Sequence, residues 1–524
     1  MKKDQGSMNE VNLSGSPYAG RPAPRWNVEV LGVLLAILVF QLACAALGYP
    51  RYRSQHYGTA VIYAQTSIDL LRPVIEGFNA NGVPTPQELP LWQAAVAIFL
   101  RLFGESVGWA LFVSWLAIVA SVPPVYGLAR SFGGERLARG AVVLYLLQPL
   151  VFFIGAAAGT DGTCLALALW FLYFAERHVR TGSAGTWLGA ALFGVLTVLT
   201  KAPFFFAAGT AAFCWLLQRR APWPRWLSVA ALGGGAGAAL MLWTAHCNAC
   251  HAQAEFPMLE LRMRENPYMV YWYFGTWLER LQPLNWGKAG WRILNACFGS
   301  WALAGVALIG LSQASTRLVR GWLLGVLASM LVFFHIIVVA THRHYYLMLS
   351  PPLAMLGAAG FGFIQANLPD MSAGMRRLLR GVAALVLGLA LVQGYFGMEA
   401  HYAFDRYPGE VGRRIREHTA PEDRILLAGG AGWGDPLFRL SGRSGLSLGT
   451  LAQLESPQVV ARLKERGYQT LVVVNESPLA AALQQVNPGE SDRRRIRHAE
   501  RLPAVVREWP TVYADEDLLI KSIP

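Results

Sequence analysis

The chain has 524 residues, 54% of them apolar and only 15% charged, with 45 Lys plus Arg against 32 Asp plus Glu for a net charge of +13. So few charges cannot cover the surface of a soluble protein of this length, which excludes a wholly water-exposed fold and makes lipid part of the solvent. The basic residues are scattered through short segments instead of gathering on one polar domain, which excludes nucleic acid as the partner and points to membrane orientation.

In chain order, residues 1–27 are polar and contain Gly, Pro and Ser, and read as a disordered cytoplasmic N-terminus. Apolar runs follow at 28–49, 107–129, 138–157, 161–177, 185–202, 203–218, 226–246, 292–313, 320–341, 345–366 and 378–398. Each is about long enough to cross a hydrocarbon core of roughly 30 Å as a helix, so the pattern predicts about eleven transmembrane helices, mainly α, over 28–398. The first run lacks a small-residue cleavage pattern and is expected to stay as an anchor. With the N-terminus cytoplasmic, the inner loops carry Lys2, Lys3, Arg21 and Arg25, then Arg130, Arg136 and Arg139, then Arg177 and Arg180, then Arg219, Arg220 and Arg225, then Arg317 and Arg320, then Arg376, Arg377 and Arg380. That bias follows the positive-inside rule. It puts the loops 50–106 and 246–291, several tight turns and everything after about 398 on the outer face.

Within the first outer loop, Leu91, Ala95, Ile98 and Leu102 share a helical stripe beside Trp92, Val96, Phe99 and Phe103, which predicts a short helix along the interface. After Met398 the pattern changes. Residues 424–428 and 470–474 read as buried strands flanking a helix over 456–466, and 517–523 reads as a further strand. The alternation predicts an extracytoplasmic α/β domain over 399–524. No internal repeat is visible.

Ionisable groups at span ends are costly beside lipid and become functional candidates when they face a cavity. Asp161, in a short outer turn after Thr160, suits a general base or an orienting carboxylate, and equally a helix N-cap. Glu88, ahead of Pro90, reads as an acid, base or metal ligand, or as a partner of the helix dipole. Lys201 interrupts the apolar run 188–212 just before Pro203, and is either a snorkelling turn lysine or a phosphate contact. His342, Arg343 and His344, followed by two tyrosines, suit a phosphate or diphosphate at headgroup level, against ordinary interfacial anchoring.

The six cysteines are Cys44, Cys164, Cys214, Cys247, Cys250 and Cys297, mostly inside apolar runs, and read as small buried residues without a disulfide framework. Cys247-Asn-Ala-Cys250-His251 matches the pattern for covalent haem attachment, but no soluble haem-sized domain surrounds it. A disulfide, or a metal site using His246 and His251, ranks above haem, and an inert loop above both.

Taken in order, several stretches resemble the GT-C membrane glycosyltransferases, in particular the bacterial group related to protein O-mannosyltransferases and the lipid A aminoarabinose transferase. Residues 53–60 resemble an R-Q-x-[DQ]-T-A segment, and Glu88-Leu-Pro-Leu-Trp-Gln93 resembles E-F-P-L-Y-Q. Thr160-Asp161-Gly-Thr, Leu199-Thr-Lys-Ala-Pro203 (like L-T-K-G-P) and Arg343-His-Tyr-Tyr-Leu347 (like R-Y-Y-L) follow, so the resemblance covers about 28–366. It implies transfer of a sugar, with inversion, from a polyprenyl-phosphate carrier to an envelope lipid, glycan or protein at the outer face of a bacterial inner membrane. It also implies Asp161 in the acceptor or base role, and Lys201, Arg343, His344 and Arg53 at the lipid phosphate. Glu88 would assist as an acidic group or as ligand to a divalent metal ion.

One position departs from the resemblance. Many relatives carry an Asp in the first outer loop, where this chain reads Arg-Ser-Gln-His-Tyr-Gly-Thr-Ala and the first carboxylate is Asp69. Either His56 is the base, or Asp161 acts alone, or the chain is inactive or takes another acceptor. A secondary transporter and a non-catalytic envelope scaffold are the rival readings.

Overall fold

The computed structural model describes residues 28–47, 57, 60–61, 63–64, 68–71, 88–252, 267–313, 316–339, 343–367, 369, 372–397, 407–428, 436–448, 451–475 and 502–524. Arg53 and His56 lie outside them, and the side chains of His251 and Arg343 are likewise not described.

The membrane part begins with α1 (Val28–Leu47), followed by α2 (Leu91–Phe103) and α3 (Val107–Leu147). The sequence divides α3 into two spans, and the structure bends it at Gly133 and Gly134, where the backbone leaves helical geometry. The second half ends at Leu147, short of the predicted 157, and a π turn over Leu150–Gly155 replaces its last residues. Next come α4 (Thr160–Thr181), α5 (Ala184–Thr200), α6 (Ala202–Gln218) and α7 (Trp223–Ala252). The segment predicted as outer loop from 246 therefore starts as helix. Beyond it lie α8 (Pro267–Phe274), α9 (Trp277–Leu281) and α10 (Pro283–Ile293). The predicted span at 292–313 is broken, since Pro283–Phe298 meets α11 (Trp301–Ser312) at 94°. The span predicted at 320–341 is shorter as α12 (Arg317–Val332), and a π turn, His335–Val339, takes over. A 3-10 segment, Arg343–Leu349, leads into α13 (Ser350–Asn367), and α14 (Ala373–Gly397) closes the set.

By length and composition three of these helical stretches can cross a bilayer unaided, Val107–Leu147, Trp223–Cys250 and His344–Asn367, and the bent pair makes a fourth. Shorter apolar helices, Ala184–Thr200 and Ala202–Gln218 among them, stand beside these. One continuous core runs through α3, α4, α6, α12 and α13, including Val125, Leu169, Phe171, Trp215, Trp322 and Met355. Small residues set the spacing where helices cross, as lipid tails provide no hydrophobic drive for packing. A Cβ on Gly310 of α11 would lie 1.9 Å from Leu356 O, and one on Gly360 of α13 2.0 Å from Val306 O. On the Arg-bearing side the buried Glu176 of α4 takes hydrogen bonds from Ser131 Oγ (2.7 Å) and an Arg219 guanidinium nitrogen (2.5 Å), tying three helices.

Toward the C-terminus, α15 (Tyr407–Glu417) precedes a five-stranded sheet of order β2-β1-β3-β5-β4. Its strands are β1 (Arg424–Ala428), β2 (Ser444–Leu448), β3 (Tyr468–Val474), β4 (Thr511–Ala514) and β5 (Leu518–Ser522). The first three are parallel, with Leu426 opposite Leu446 and Leu471, and β5 runs antiparallel to β3 and β4. Three of the strands and the helix over 457–465 fall where the sequence puts them, while β2 and β4 escape it. The first mixes Gly and two Ser with its leucines, Ser444-Gly-Leu-Ser-Leu448, and the second is only four residues long, Thr511-Val-Tyr-Ala514. Alternate residues feed the two faces, Leu426, Leu471 and Val473 on one and Ile425, Leu427 and Val472 on the other.

Candidate active site

Three short connections bring the charged candidates together. Leu89 N–H donates to Leu199 O at 2.7 Å, which pins the turn before α2 to the end of α5 and sets Glu88 beside Lys201. Lys201 is extended (φ −155°) between α5 and α6, because Pro203 starts the new helix and cannot continue the old one. Asp161 lies in the first turn of α4, behind the N-cap Gly159, which makes no side-chain cap. That turn is pressed against the π turn at 150–155, since a Cβ on Gly162 would fall 2.1 Å from Gly155 O.

The result is a buried ion cluster. Lys201 Nζ is 2.6 Å from Asp161 Oδ1 and 3.8 Å from Glu88 Oε1, with Asp161 2% and Lys201 6% exposed. His344 Nε2 lies 4.0 Å from the same Asp161 oxygen, and its ring sits 4.4 Å from that of Tyr345. The Tyr345 ring in turn receives the Lys201 ammonium at 5.3 Å. Asp161 keeps its place in the first turn of α4 while its carboxylate meets Lys201, and Lys201 is buried where a snorkelling lysine would be solvated.

Sequence reasoning missed Tyr273 on α8. Burial pushes its phenol well above the ordinary 10, and Tyr345 and Glu88 add to that effect while Lys201 opposes it, so the ring lies within electrostatic reach of the cluster. The only sequence signal is the aromatic run 268–274, which suits any interfacial helix. A neighbouring network ties α8 to the turn after α12. Tyr271 Oη donates to Glu279 Oε1 at 2.7 Å, and His335 Nδ1 stands 3.6 Å from that oxygen. Burial would raise the Glu279 carboxyl, but the Thr276 backbone N–H, Tyr271 and His335 outweigh it and hold the group below its usual range.

His246 and the two cysteines do not join the cluster. Cys247 and Cys250 belong to the last turns of α7, so the predicted inert loop is helix, and both thiols are free. Cys247 packs under Leu89 with Trp243, while the exposed His246 faces the Leu71 carbonyl and lies 3.7 Å from Cys250 Sγ. Among the described residues no three His, Cys, Asp or Glu side chains gather as a metal cage. Glu88 faces an ammonium, so this donor set does not fit the divalent ion expected from sequence.

Residues 85–246 match the model of a family described as dolichyl-phosphate-mannose-protein mannosyltransferase. No curated protein matches the chain in sequence. Among solved structures, ArnT from Cupriavidus metallidurans bound to undecaprenyl phosphate matches with a TM-score of 0.55 at 14% identity, over 94% of this chain and 98% of that one. The oligosaccharyltransferase AglB from Archaeoglobus fulgidus, in complex with an inhibitory peptide and a dolichol-phosphate, gives 0.51 at 12% identity over 85% and 69%. The Archaeoglobus fulgidus oligosaccharyltransferase in complex with Zn and sulfate gives 0.53 at 10% identity over 84% and 68%. The chain is thus a polytopic membrane protein with the GT-C fold shared by these glycosyltransferases, and its residues 85–246 carry the mannosyltransferase family's sequence pattern.

Proposed function

We propose that the chain is a membrane glycosyltransferase that moves a sugar, with inversion, from a polyprenyl-phosphate carrier to an envelope lipid, glycan or protein. The observation that carries this reading is the convergence of Glu88, Asp161, Lys201 and His344 from separate elements onto one buried locus. Two solved relatives by fold add support, one bound to undecaprenyl phosphate and one to a dolichol-phosphate.

In this reading the acceptor oxygen attacks the anomeric carbon, the carbon–oxygen bond to phosphate breaks, and the electron pair leaves on the phosphate. Lys201 offers its positive charge to that developing anion, with Arg343 and Arg53 assigned beside it. Asp161 and Glu88 hold the lysine in place, and Tyr345 and Tyr273 wall the sugar. No step runs through a metal. About eleven spans over 28–398, a cytoplasmic N-terminus and an outward-facing domain over 399–524, all in a bacterial inner membrane, complete the proposal.

The test is turnover in proteoliposomes supplied with polyprenyl-phosphate mannose or aminoarabinose and an envelope lipid extract. Wild type is expected to release polyprenyl phosphate, and Asp161→Ala and Arg343→Ala to stop that release while still eluting as folded protein. Full activity in both variants would reject the assignment of these residues.

A further inference from the structure

The Cys-x-x-Cys pair at the end of α7 takes no part in the ion cluster, yet it packs against the turn that carries one of its members. Cys247 is fully buried in a small apolar group with Trp243 and Leu89, and Leu199 packs against that group. Leu89 is the residue whose N–H donates to Leu199 O at 2.7 Å, and its neighbour Glu88 stands 3.8 Å from Lys201 Nζ. Cys247 therefore props the turn that holds Glu88. Cys250, less than one helical turn further on, is half-buried, and both thiols are free.

Helix geometry allows the two sulfurs to join. Three residues of α-helix set two Cα atoms about 5 Å apart, from a rise of about 4.5 Å and a radius of about 2.3 Å. That lies inside the range of about 4.4–6.8 Å found across disulfides. The Cβ atoms of such a pair are about 5–6 Å apart, whereas a disulfide holds them at about 3.8 Å, so closure draws them together by about 1–2 Å. Only two residues of α7 follow Cys250, and the last carbonyls of a helix have no partner within it, so few hydrogen bonds oppose the movement. The 30 residues of α7 rise about 45 Å against a hydrocarbon core of about 30 Å, which carries its end to the polar interface.

His246 activates the pair. Its Nε2 faces the Leu71 carbonyl, which can only accept, so that nitrogen carries a hydrogen, and it also lies 3.7 Å from Cys250 Sγ. An N–H beside the sulfur favours its thiolate, against the negative end of the helix dipole. Cys250 is thus the attacking sulfur and the buried Cys247 the resolving one.

We propose that Cys247 and Cys250 form a thiol–disulfide site, and that closing it loosens the Leu89 turn and draws Glu88 away from Lys201. The Cys250 thiolate attacks a disulfide R–S–S–R, forming a mixed disulfide and releasing RS⁻, which takes up the proton that Cys250 lost. Cys247 then attacks the Cys250 sulfur, and the second RS⁻ leaves with the Cys247 proton. The two thiols are oxidised to one disulfide, and R–S–S–R is reduced to two R–SH. Only the effect on turnover rests on the transfer reading above.

The experiment equilibrates full-length wild type and C250S with oxidised glutathione, then with dithiothreitol. Peptide mass spectrometry follows the segment holding both cysteines, and hydrogen exchange follows peptides covering Leu89. Oxidised wild type is expected to lose the mass of two hydrogens from that segment, to exchange faster at Leu89, and to revert on reduction. C250S is expected to show neither change. In proteoliposomes supplied as above, oxidation is expected to lower wild-type kcat by about 10–100-fold and to leave C250S unaffected. A wild-type segment that stays reduced, or that stops at glutathione on Cys250, would overturn the dithiol. Disulfide closure with unchanged exchange at Leu89 would overturn its coupling to the site. Closure and faster exchange in a protein that releases no polyprenyl phosphate in either state uphold the thiol–disulfide site and reject the transfer reading alone.

Discussion

Lys201 and Asp161 come 40 residues apart in sequence and meet at 2.6 Å in a site that excludes most water. A pair like this is weak evidence of stability by itself, since desolvation consumes much of its Coulomb energy, but removing one partner strands a buried charge at a cost of about 3–5 kcal/mol. Lys201→Met is therefore expected to lower the apparent Tm markedly, because Glu88 and Asp161 are left facing each other. The double variant Lys201→Met/Asp161→Leu is expected to regain most of that loss while staying inactive. Thermal unfolding of the single and double variants in detergent, read as a double-variant cycle, checks this. Additive losses would mean that the two side chains do not depend on each other.

Helices in this protein end where the site needs irregular backbone. The α-helical ladder gives way at residues 150–155, 294–298, 335–339 and 343–349, and all four stretches are π or 3-10 turns largely buried among neighbouring helices. Non-helical backbone at membrane depth survives only in such protein-lined settings. Elsewhere the elements are pressed together, and Gly310 and Gly360 show how closely: α11 and α13 each carry a backbone carbonyl about 2 Å from where the other's Cβ would stand. Gly360→Val is expected to force the pair apart and cut the yield of monodisperse protein several-fold by overpacking. Gly362→Val, two residues on, has open space beside it and is expected to behave as wild type. Size-exclusion profiles of tagged variants measure both, and equal yields would show that the crossing tolerates a wider spacing.

For the molecule as a whole, the proposed orientation makes the C-terminal sheet and the α3 bend accessible from opposite sides of the membrane. In a cysteine-free background, Val512→Cys on the exposed face of β4 is expected to react with an impermeant maleimide added to spheroplasts, and Arg136→Cys beside the α3 bend only after lysis. Labelling of Arg136→Cys from outside would reverse the topology and move the ion cluster to the inner face.

Much of this organisation is written in local pattern. Runs of apolar residues long enough to span a bilayer, arginines recurring at alternate connections, Pro203 after Lys201, and the alternating strands at 424–428 and 470–474 are all short-range signals, and helix or strand follows from them because backbone polar groups must pair wherever water is excluded. Glu88, Asp161 and Lys201 stand out in the sequence for the same reason, as charges in places where lipid makes charge expensive. What those charges do to one another was decided only in three dimensions. Asp161 reads equally as a base and as a cap until α5 and α6 bring Lys201 to it, His344 reads as one of several interfacial cations until α4 sets a carboxylate 4.0 Å from its ring, and Tyr273 is marked only by an aromatic run that suits any interfacial helix. Sequence fixes which groups are costly to bury, but the partner that offsets the cost arrives from another helix, through packing that no single segment encodes.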